Sequence, residues 1–165
     1  MVAAALRGDR GGADRRARSR GLLLRLVAID LWGGAWVNNT RSCVRWYERP
    51  GQGAREHIGF AALHVVHPAV IAVVDHNAGA RDALSAVRWA LGHYGWMTVS
   101  AAVITRARRR SRLPIAFAAT VAGLILDRAL EPSAAARWFA PVYYTKLLIG
   151  HAAGSIWNAG MTPVR

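Results

Sequence analysis

The chemistry this chain could perform rests on its histidines, on Asp30 and Asp127, and on Lys146, the only lysine. His64 and His67 are three residues apart, so on a helix both face one side. His93 shares a helical face with Trp89, Trp96 and Ser100. Neutral imidazoles from different helices that converge on one ion are what axial haem ligation or a transition-metal site requires. His64, His93 and His151 are the candidates for that role, with haem or a transition metal as the cofactor. No His-Glu-x-x-His, Glu-x-x-His or Cys-x-x-Cys-His pattern accompanies them. The competing expectation is that these histidines hydrogen-bond across helices and hold the packing together.

Asp30 and Asp127 are candidate membrane acids. Asp127 lies on one helical face with Ala116, Thr120 and Gly123. Arg128 or Arg137 would be its ordinary partner, and a proton or cation site its functional role. Lys146 sits deep in an apolar stretch beside Tyr143 and Tyr144, where a lysine needs a partner. Asp127 or an anionic headgroup would supply one. Arg41, Arg45 and Trp46 mix guanidinium and indole in a polar stretch, 38–56, that suits lipid or anion contact.

The elements that must position these residues are apolar. Four segments, 57–74, 83–105, 113–130 and 138–157, are each long enough, at roughly 1.5 Å per residue, to reach across a hydrocarbon core about 30 Å thick. Short polar links join them, so consecutive helices pack as antiparallel neighbours. The expected fold is all-α: a polytopic transmembrane helical bundle of four firm spans, in one domain over 21–158. A fifth segment, 21–37, is shorter and carries Arg25 and Asp30, so it either spans or lies in the interface. Residues 1–20, charged and without apolar periodicity, read as a disordered arginine-rich tail. Residues 159–165 form a short C-terminal tail. Gly150 and Gly154 form a small-x-x-x-small pair that permits close helix contact, within the chain or in a homo-oligomer.

Lys and Arg total 22 against 9 Asp and Glu, a formal charge of +13. The arginines cluster beside apolar runs, as juxtamembrane charge does, so a bilayer and not nucleic acid is the expected partner. Near-exclusive use of arginine with abundant Ala and Gly suggests a GC-rich bacterial genome and hence the plasma (inner) membrane. Counting arginines in the short loops puts 38–56 and 106–112 in the cytoplasm together with the C-terminus. The lone Cys43 excludes an internal disulfide. The expected function is that of a small accessory, scaffold or binding protein of the membrane. The alternative is a metal- or haem-binding redox protein or enzyme built on intramembrane histidines.

Overall fold

The computed structural model describes residues 2–154, with side chains from Arg15 onward except Arg16; the expected C-terminal tail and the end of the fourth apolar segment lie outside the described residues. Among the described residues every regular element is helical and there is no strand. Helix α1 spans Val2–Val37 and short α2 spans Arg41–Tyr47. Helix α3, Ala54–Ala62, passes through a 3₁₀ turn, Leu63–Val65, into α4, Val66–Asn77. Helices α5, Ala83–Arg106, and α6, Arg109–Ala129, follow. Helix α7, Phe139–Tyr144, runs on as a π-helix over Thr145–Ala152.

One helical stretch among the described residues, Ala54–Asn77, is by itself long and apolar enough to cross a membrane. The other expected spans are helical but depart from that standard for visible reasons. Helix α5 carries Arg88, His93 and Tyr94; α6 enters through Arg109, Arg110 and Arg112; the fourth segment is split between α7 and the π-helix. The stretch expected to be a disordered tail continues α1 back to Val2. Ala, Leu and Arg are strong helix formers, and the turns from Val27 to Leu31, anchored in the core, supply the costly nucleus from which helix propagates.

Both ends of the bundle are fastened by contacts between loops. At one end Arg112 Nη1 lies 3.7 Å from Glu48 Oε1, and Tyr47 packs edge-on over His151 at 4.5 Å, which brings 38–56 beside the 106–112 turn. At the other, the fully buried Asp75 accepts from the Ala135 N–H at 3.0 Å and from Arg81 Nε at 3.4 Å. Arg81 then donates to the carbonyls of Leu130 and Glu131. Helix α1 reaches the first of these ends at Asn38, whose side-chain amide donates to the Lys146 carbonyl at 3.3 Å.

Glycines set the closest approaches. A Cβ on Gly34 would overlap the Lys146 side chain, and one on Gly150 would sit 2.8 Å from Asn38 Cβ. Gly150 is therefore used within the chain, to admit α1. Gly154, with φ +75°, ends the π-helix in the left-handed region.

Candidate metal centre

Pro68 organises the middle of the α3–α4 stretch. Its ring removes an N–H and crowds the carbonyl four residues back, that of His64, where the helix tightens into its 3₁₀ turn. The freed His64 carbonyl accepts from Tyr143 Oη–H at 3.3 Å and faces His67 Nδ1 at 3.3 Å. One turn earlier His64 Nδ1 lies 2.9 Å from the Phe60 carbonyl. A carbonyl only accepts, so in both imidazoles Nδ1 carries a proton and Nε2 is the nitrogen left for another partner. The two rings stack at 5.0 Å, as their three-residue spacing allows.

Both imidazoles lie beside Asp30 of α1. His67 Nε2 is 2.8 Å from Asp30 Oδ2, and one ligand atom each from Asp30, His64 and His67 lies within 4.8 Å of the others. An imidazole lone pair set against a carboxylate oxygen is repulsive unless a proton or a metal cation lies between them. Lys146 supplies a cation beside them. Its Nζ donates to Asp30 Oδ2 at 2.5 Å and to the Asp30 carbonyl at 3.2 Å. Lys146 is buried while the Asp30 side chain is 52% exposed, so the carboxylate is the side of the cluster open to the surroundings.

Two histidines and one carboxylate suit Zn²⁺ or non-haem Fe²⁺, and three protein ligands leave positions open. Bonds of about 2.0–2.2 Å put ligand atoms about 3.3 Å apart, so the cluster must close by up to about 1.5 Å to hold such an ion. Backbone carbonyls on both Nδ1 atoms are the outer contacts that fix the tautomer of a metal-binding histidine.

The histidines expected to converge do not share one point. His64 contributes to the cluster with Asp30 and His67. His151 instead pairs with His57, its Nε2 3.2 Å from His57 Nδ1, and the Phe60 ring stands between it and His64, at 4.2 and 4.8 Å from the two. His93 lies apart, with Nδ1 2.7 Å from Tyr144 Oη and Nε2 3.3 Å from Asp127 Oδ1. Asp127 thus turns to His93 and not to Arg128 or Arg137, because Ala116, Thr120, Gly123 and Asp127 form the buried face of α6. Among the described residues the carboxylate that Lys146 meets is Asp30 and not Asp127. Arg41, Arg45 and Trp46 are exposed on α2, with the Arg49 guanidinium 3.8 Å over the Trp46 ring.

His67 is the member of the cluster that was not among the expected ligands. The signal available for it was the His-x-x-His-Pro run, in which proline frees the carbonyl that orients His67. At the arginine-rich end, burial pushes the Tyr47 hydroxyl up to about 12 and raises the Cys43 thiol, so both stay neutral near pH 7 and Cys43 offers no reactive thiolate.

Gly123 keeps the His93–Tyr144 contact in place, since a Cβ there would lie 2.5 Å from Tyr144 Cε2. Gly123→Val is expected to cost about 1–3 kcal/mol by overpacking, read as a lower thermal midpoint in detergent. Comparison with protein-family models, curated proteins and solved structures finds no match, so the functional reading stands on this geometry.

Proposed function

We propose that this chain is a small multi-span membrane protein that binds a transition-metal ion inside its bundle through Asp30, His64 and His67. Lys146 holds the carboxylate when no metal is bound. The observation that carries the reading is the cluster itself: one ligand atom each of Asp30, His64 and His67 lies within 4.8 Å of the others, while both Nδ1 atoms face carbonyl oxygens. Once bound, the ion would supply Lewis-acid or redox chemistry at its open positions. The side chains of this protein hold and orient it, and the Lys146 ammonium competes with it for Asp30.

Membrane placement is supported by the distribution of side chains. Ile29, Trp36, Leu63, Leu91, Val99 and Ile125 face outward from α1, the α3–α4 stretch, α5 and α6, while Asp75, His93, Lys146 and His151 are buried. Large exposed apolar surfaces around a polar interior suit lipid better than water. The arginines of 38–56 and 106–112 gather at one end, which the positive-inside rule places in a bacterial cytoplasm together with His151. An accessory or scaffold role with packing histidines is favoured by one feature, the His57–His151 pair, whose rings meet each other.

The test is metal analysis of detergent-purified protein from membranes washed with alkaline carbonate. The expected result is a chain that stays in the pellet and takes up about one Zn²⁺ or Fe²⁺ per protein, lost in His64→Ala and His67→Ala and kept in His93→Ala. Release by carbonate contradicts the membrane placement. Metal lost equally from His93→Ala contradicts the ligand set.

A further inference from the structure

At the end of the bundle away from the arginine-rich loops, a cavity of about 550 Å³ is lined by Leu124, Asp127, Arg128, Pro132, Arg137 and Pro141. Its charges match neither a simple anion nor a simple cation. Arg128 and Arg137 are exposed, and among the described residues neither meets a carboxylate. Asp127 is buried at 7% exposure, yet no donor among the described residues is aligned on either oxygen. The nearest, His93 Nε2 at 3.3 Å, is out of line and itself lacks a hydrogen-bond partner in a fully buried ring. Asp127 lines the cavity, so the cavity is the direction from which a further donor can reach its carboxylate.

We infer that this cavity binds a compact zwitterion, the phosphoethanolamine headgroup, with its phosphate on Arg128 and Arg137 and its primary ammonium on Asp127. Guanidinium forks match phosphate oxygens, and an ammonium brings three N–H donors to a carboxylate whose one charged neighbour, His93, is poorly aligned on it. The trimethylated headgroup of a choline lipid offers no such donor. Tyr144 Oη on His93 Nδ1 holds the imidazole in place behind Asp127. The site uses no residue of the metal centre, and it rests on the membrane part of the proposed function alone.

The test measures calorimetric binding of soluble phosphoethanolamine, phosphocholine and inorganic phosphate to the full chain in detergent. Native mass spectrometry of retained phosphatidylethanolamine against phosphatidylcholine runs in parallel. Phosphoethanolamine is expected to bind at least about tenfold more tightly than phosphocholine or phosphate, as one charge-assisted contact allows. Asp127→Asn should abolish that preference, and Arg128→Gln with Arg137→Gln should weaken both organic probes. The two arginines are exposed, so the double variant reads binding even where Asp127→Asn disturbs the core. Retention of the lipid with no binding of the soluble probe would assign the headgroup to the bilayer, and binding of both would assign it to the headgroup alone. Equal binding of ethanolamine and choline forms, no binding of either, or a preference that survives in Asp127→Asn would overturn the inference.

Discussion

Replacing Lys146 with methionine is expected to tighten metal binding by at least about tenfold, a change of about 1.4 kcal/mol. The ammonium donates to Asp30 Oδ2 at 2.5 Å, the same oxygen that lies 2.8 Å from His67 Nε2. Two unit charges 4 Å apart interact by about 4 kcal/mol at an effective dielectric of 20, and a divalent ion near the ammonium meets twice that repulsion until Lys146 swings away. Methionine keeps the buried stem and removes the charge. Competition with a chromogenic chelator reads the affinity. A purely structural Lys146–Asp30 pair predicts a less stable protein with no gain in affinity, so the sign of the change separates the two accounts. Asp30→Asn should lose more than about a hundredfold, because a neutral amide neither ligates well nor balances the ion's charge.

The largest effect on stability is expected at the opposite end of the bundle. Asp75 is fully buried, and it ties Arg81 to the 131–135 loop through both of its oxygens. Asp75→Ala leaves the Arg81 guanidinium buried without a counter-charge and the Ala135 N–H without an acceptor, a combined cost of about 3–5 kcal/mol. Thermal unfolding in detergent, followed by circular dichroism, measures it. Asp75→Ala combined with Arg81→Met should cost less than the sum of the single changes, since removing both charges removes the unpaired one. A strictly additive double variant would show that the two side chains do not act as a pair.

The helices were legible in the sequence because their apolar runs and the polar links between them are local features. Helices α5 and α6 fall within a few residues of the expected 83–105 and 113–130. That Ala116, Thr120, Gly123 and Asp127 share one face of α6 could be read from spacing alone, but not that this face is the buried one. Nor could partner choice. Lys146 meets Asp30, 116 residues earlier in the chain, only because Gly34 and Gly150 let α1 lie against the π-helix, and no periodicity encodes that approach. His151 was expected to converge with His64, and both do flank Phe60, but the sequence does not reveal a ring standing between them. The π-helix adds a further reason. Its wider turn changes which residues point inward, and a reading at 3.6 residues per turn does not anticipate it.

The most direct test of the metal centre is X-ray absorption at the metal edge of the zinc-loaded protein. A first shell with two imidazole nitrogens and one carboxylate oxygen at about 2.0–2.2 Å, reduced to one imidazole in His67→Ala, is the predicted result. An unchanged spectrum in His67→Ala, or a shell without imidazole, would contradict the assignment of Asp30, His64 and His67 as the metal site.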